Sequence, residues 1–180
     1  MKKTITASIT GLSLLFLASC GDKPAEQNSA QSEQPQASPL ENIVLKDEPT
    51  TAISIAEAKQ KPTPGKEVTI KAKVIGRSAP IVDGLAVILV GDPEKLTSCD
   101  LMPDDHCTTP WDVCCDDPDE IKNHTATIQV LDKDGKLVKN SLRGIGGLKE
   151  LSYLTISGVI DEKSSKDNLV INASGIYIKP

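Results

Sequence analysis

Glu67-Val68-Thr69-Ile70-Lys71-Ala72-Lys73-Val74-Ile75 is the stretch that decides the fold. Val68, Ile70, Ala72 and Val74 recur at every second position, with Thr69, Lys71 and Lys73 between them. Side chains alternate across a β-strand, so this period predicts a strand buried on one face, with Lys71, Lys73 and nearby Arg77 in solvent. Upstream, Ser54-Ile55-Ala56-Glu57 has capping-box spacing with Ile53 placed as a staple, which predicts a short helix through Lys59. Pro62 and Pro64-Gly65 end it. Downstream, Leu85 to Val90 is a short apolar run between Gly84 and Gly91, read as a more fully covered strand. Thr125 to Leu131 alternates again, and Asp132-Lys133-Asp134-Gly135 turns the chain back through Leu137 and Val138. Leu154, Ile156 and Ile160 mark a fourth strand. Leu169, Ile171, Ala173, Ile176 and Ile178 mark a fifth, whose phase slips at Ser174-Gly175 and predicts a bulge there.

Five strands, with a short helical turn expected near Leu148-Lys149-Glu150-Leu151 between the third and fourth, follow the element order of an OB-fold barrel. The expected class is therefore all-β with short helices: a five-stranded OB-fold-like barrel over residues 51–180. Val68, Ile70, Val74, Ile128, Val130, Ile156 and Ile171 would point inside. A β-sandwich is the alternative, since five strands leave their spatial order open. Between strands two and three lies a long Cys-rich acidic insertion, residues 92–123, which ends in Pro110-Trp111-Asp112-Val113-Cys114-Cys115. Together these features resemble small exported OB-fold lipoproteins of bacteria that carry a Cys-rich Pro-Trp-Asp-x-Cys-Cys loop. The resemblance covers residues 51–180 and implies a fold and a location, with no activity attached.

The location is read at the other end of the chain. Lys2 and Lys3 precede an apolar stretch through Leu12, Leu14, Leu15, Phe16 and Leu17, too short to span a bilayer, and Leu17-Ala18-Ser19-Cys20 follows. That box resembles the lipobox of bacterial lipoproteins. The resemblance implies a signal peptide over residues 1–19 and a mature chain anchored through the acylated Cys20. Gly21 stands where an inner-membrane retention signal would have Asp, so the expected site is the outer membrane, facing the periplasm. Residues 20–50 are rich in Gln, Ser, Pro, Ala and Glu and read as a disordered tether. A coil of that length reaches roughly 30 Å.

Lys2 and Lys3 leave with the signal, so the mature chain carries 18 basic and 25 acidic side chains. The acidity is concentrated: residues 92–120 hold ten acidic side chains and one basic one, while the barrel is mildly basic. Trp111, Tyr153 and Tyr177 are the aromatics beyond the signal. Nucleic-acid binding needs a basic groove and stacking platforms, so this composition speaks against it. His106 and His124 are the two histidines, too few for a recognisable hydrolase set. The expectation is a non-catalytic module meeting a protein or glycan of the cell envelope.

The insertion contains Cys99, Cys107, Cys114 and Cys115. In an oxidising compartment an even cysteine count predicts two disulfides and no cofactor. Adjacent Cα atoms lie about 3.8 Å apart, below the disulfide range of about 4.4–6.8 Å, which rules out Cys114–Cys115. Two pairings stay open: Cys99–Cys114 with Cys107–Cys115, or Cys99–Cys115 with Cys107–Cys114. Such bridges would present Asp104, Asp105, Asp112, Asp116 and Asp117 with Trp111 as a negative docking face, sensitive to salt. The alternative is a carrier or sensor for zinc or copper, with Cys99, Cys107, Cys114, Cys115 and His106 as ligands. A redox-active thiol pair is a third reading, without the C-x-x-C spacing that lowers a thiol pKa.

Overall fold

The computed structural model describes Leu40 and residues 42–102 and 107–180. The signal, Cys20 and most of the tether, and also Asp104, Asp105 and His106, lie outside the described residues. The alternating stretch forms β1 (Glu67–Lys73), antiparallel along its whole length to β4 (Tyr153–Ile160), from Glu67 opposite Val159 to Lys73 opposite Tyr153. β2 (Val87–Gly91) touches β1 at one pair, Lys73 opposite Gly91, and runs antiparallel to β3 (Thr125–Gln129). β3 lies parallel to β5 (Val170–Ile178), which returns antiparallel to β4. The order β1-β2-β3-β5-β4 closes into a barrel, the OB-like arrangement expected, and two separate sheets are excluded.

The inward positions follow the period of two. Ile70, Val74, Ile128, Val130, Ile156 and Ile171 are buried, and Val68 packs half-buried at the margin of the same core. Each buried Ile or Val contributes about 1.5–3 kcal/mol, which fixes which face of each strand turns in. The predicted bulge is present. Pairing steps from Ser157 opposite Gly175 to Gly158 opposite Ala173, which leaves Ser174 unpaired. α1 (Ile55–Gln60) begins where the capping box places it, with Ser54 Oγ accepting from the Glu57 N–H at 3.1 Å. Among the described residues, no helix is long and apolar enough to cross a membrane.

Four expectations are corrected. The helical turn between the third and fourth strands is displaced: it is a 3-10 turn over Ile145–Gly147 and does not cover 148–151. Leu148 is extended, with ψ of 127°, and Leu151 has φ of +68°, outside the right-handed helical region. The folded part begins before residue 51, because Leu40 and Ile43 are buried in the barrel core and Val44 bridges Ile176 in parallel. Leu40, Ile43, Val44 and Leu45 are an apolar island whose burial outweighs the disorder-prone composition around it. The insertion, read as a long loop without regular structure, contains a helix: α2 (Pro118–His124) forms inside it, with Asp117 accepting from the Asp119 and Glu120 N–H groups. Finally Lys73, placed in solvent by the period, is buried at 2% exposure, whereas Lys71 and Arg77 are exposed as expected.

Candidate metal centre

The insertion leaves the barrel at the end of β2 and returns through α2 into β3. Its neck is closed where the Asp92 N–H donates to the His124 carbonyl at 2.9 Å. Within it, Leu96 and Val113 bury against Ile75 of the barrel, with Ile121 and Leu151 packed around them. Backbone bonds from Cys99 N–H to Asp112 O (2.9 Å) and from Asp100 N–H to Pro110 O (2.8 Å) pair the two limbs of the loop. Trp111 fastens them to the barrel, because the Gly76 N–H donates to its carbonyl at 3.0 Å and its indole N–H donates to the Ser78 carbonyl at 3.2 Å. The single Trp is thus a tie between loop and barrel, half-buried, with its polar edge already used.

This framework gathers sulfur. Cys99, buried in a 3-10 turn (Cys99–Leu101), comes together with half-buried Cys107 and exposed Cys114, their three Sγ atoms all within 4.8 Å of one another. Cys99 Sγ and Cys114 Sγ stand 4.0 Å apart. Cys107 Sγ lies 3.2 Å from Thr109 Oγ1, which holds its rotamer. Cys115 is exposed and outside the three-sulfur group. Among the described residues no disulfide stands at bonding distance, and both expected pairings would need Cys115, which lies outside the group. The 4.0 Å separation is about twice a disulfide bond length. The physical reason is the turn at the adjacent pair, closed by Asp116 N–H on the Val113 carbonyl at 3.1 Å. It brings one member of the pair to the cluster and leaves the other in solvent.

The Cys114 thiol titrates above its ordinary value. Its hydrogen bond with Cys99 pulls the pKa down, but the hydrogen bond and charge of Cys115, burial and Asp112 together push it up. The acidic side chains of the loop are largely occupied with its architecture. Asp112 accepts from the Val113 N–H at 2.7 Å and Asp116 from the Thr97 N–H at 2.8 Å, while Asp117 caps α2.

One polar group escaped the sequence reading. The Lys73 ammonium donates to Ser98 Oγ at 2.7 Å and to both Asp100 oxygens at 3.2 and 3.3 Å, and sits 5.3 Å from the Tyr153 ring centre. Ser98 and Asp100 flank Cys99. A signal was available: a segment with ten acids and one base needs a cation from elsewhere, and Lys73 ends the neighbouring strand. Away from the loop, a cleft of about 810 Å³ beside α1 is lined by Ile53, Glu57, Lys61, Lys66 and Val68, and no Cys or His lines it. Among the described residues, Cys99, Cys107 and Cys114 are the group that could hold a metal ion. No family model, no curated protein and no solved structure matches this chain.

Proposed function

We propose that this chain is a lipid-anchored, non-catalytic binding protein of the bacterial envelope whose ligand is a soft metal ion, zinc or cuprous copper. The observation that carries the reading is the grouping of Cys99, Cys107 and Cys114 with all Sγ atoms within 4.8 Å. Thiolates around a tetrahedral ion, with metal–sulfur bonds of about 2.3 Å, lie about 3.8 Å from one another. The 4.0 Å between Cys99 and Cys114 is close to that spacing. Thiolate sets of this kind select soft and borderline ions. His106 and Cys115, each next in the chain to a cluster cysteine, are the candidates for a fourth position. The barrel is the rigid support, and the Leu-Ala-Ser-Cys box supplies the anchor through Cys20.

Binding expels thiol protons. Because the Cys114 pKa is raised, its proton must be displaced by the ion at neutral pH, and affinity falls as pH falls. The test is elemental analysis of the full chain, extracted from membranes under anaerobic, thiol-preserving conditions. About one equivalent of zinc or copper is expected, removed by a strong chelator and missing from Cys99→Ser and Cys114→Ser. No retained metal, with a mass gain of about four hydrogens on reduction, would establish the two-disulfide loop instead. The anchor is tested separately by labelled fatty acid, which should enter the wild type and not Cys20→Ser.

A further inference from the structure

We infer that Lys73 is the positioning residue and the counter-charge of the metal centre, an inference that rests on the metal reading above. Its ammonium holds the residues on both sides of Cys99, with Ser98 Oγ at 2.7 Å and Asp100 at 3.2 and 3.3 Å. Ser98 is itself fully buried, and its carbonyl accepts from the Leu101 N–H at 2.9 Å, closing the turn that carries Cys99. Displacing the turn that carries Cys99 away from Cys107 and Cys114 therefore means breaking contacts to Lys73 at the end of β1. The orientation of one ligand is set by β1, which the loop alone does not supply.

Charge gives the second half of the argument. Three thiolates outweigh the charge of a divalent or monovalent ion, so the loaded centre is anionic, inside a segment with ten acidic side chains and Lys95 as its one base. Lys73 comes from outside that segment, with its side chain 3% exposed. Burying an ammonium is costly, and the partly exposed Asp100 with the Tyr153 ring face is modest compensation. An anionic metal–thiolate centre at Cys99 would give the buried ammonium a further counter-charge. Groups that orient metal ligands from behind typically change affinity 10–100-fold when removed.

The experiment compares the reduced full chain with Lys73→Met, Lys73→Arg, Ser98→Ala and Asp100→Asn, each checked for folding by circular dichroism. Zinc affinity is read by competition with a chromophoric chelator, and ligand placement by the thiolate charge-transfer band of bound cobalt(II). Lys73→Met is expected to lose about 10–100-fold in affinity with a weakened cobalt band, and Lys73→Arg, which keeps the charge, to fall between it and wild type. Should Lys73→Met not fold, Ser98→Ala and Asp100→Asn carry the test from the loop side, each losing several-fold. Wild-type affinity and an unchanged cobalt band in the folded variants overturn the role of Lys73 while leaving the metal centre standing. A wild-type chain that binds neither zinc, cobalt nor copper overturns the metal reading itself.

Discussion

Gly158 lies on β4 at the bulge, and replacing it with Ala tests whether the barrel closes as described. A methyl group there would stand 2.4 Å from the Asn172 carbonyl oxygen, 2.9 Å from Ala173 Cα and 2.8 Å from Ile171 Cγ2. Two of these three atoms are backbone of β5, so no rotamer change relieves the overlap. Contact at an ordinary separation of about 3.5 Å requires β5 to retreat by about 1 Å. That movement would strain the pairs Gly158 with Ala173 and Val159 with Asn172, two of the links between β4 and β5. Overpacking costs typically 1–3 kcal/mol, and a backbone obstacle puts Gly158→Ala near the top, at about 3 kcal/mol. Losing the glycine's freedom in the unfolded chain returns about 0.4–1 kcal/mol, leaving about 2–2.5 kcal/mol. For a domain of this size Tm should fall by roughly 5–10 °C. Urea unfolding followed by circular dichroism is the assay, with Gly84→Ala as the comparator. Gly84 has open space around its Cβ position but φ of +73°, so its cost is backbone strain of about 1 kcal/mol. If Gly158→Ala unfolds within about 0.5 kcal/mol of wild type, or is no more costly than Gly84→Ala, the tight β4–β5 contact is wrong.

Three further outcomes are expected. Ile156→Ala removes a fully buried side chain from the centre of the core and should cost about 3–4 kcal/mol in the same urea assay. Ser54→Ala removes the α1 cap and should cost about 1 kcal/mol with an unchanged m-value, since the surface exposed on unfolding is the same. Asp161 is held below the ordinary carboxylate range, first by the Lys163 backbone N–H at 2.9 Å and then by the Asn172 side-chain amide at 2.9 Å. Its folded pKa is depressed, so its contribution is fully present above the unfolded value of about 3.9 and is lost as pH falls through the folded value. Urea midpoints measured from pH 6 to pH 2 should show wild type and Asp161→Asn converging below about pH 4. A constant gap across that range would mean that the Asp161 charge does not stabilise the fold.

What was legible in the sequence was what depends on near neighbours. The alternation of Val68, Ile70, Ala72 and Val74, the matching periods near Ile128 and Ile156, the Ser54 cap and the slip at Ser174 all express geometry within one element. A strand's inward face is decided by which alternate positions are apolar, so period alone assigned β1, β3, β4 and β5. The exact place of the helical turn was not legible, since it lies over Ile145–Gly147 and the positive φ of Leu151 is not a local preference of leucine. Other features belong to the tertiary structure alone. Leu40 to Leu45 reads as part of a polar tether until Ile176 is brought beside Val44. Lys71 and Lys73 have the same local pattern, yet Lys73 is buried because Ser98 and Asp100 meet it from a loop 25 and 27 residues away. Four cysteines allow several groupings on paper, and the pairing of the loop's two limbs brings three of them together, because the turn at Cys114-Cys115 admits one of that pair. Strand faces are set by contacts two residues apart, whereas buried charges and ligand clusters are set by contacts between segments that only the closed barrel places together.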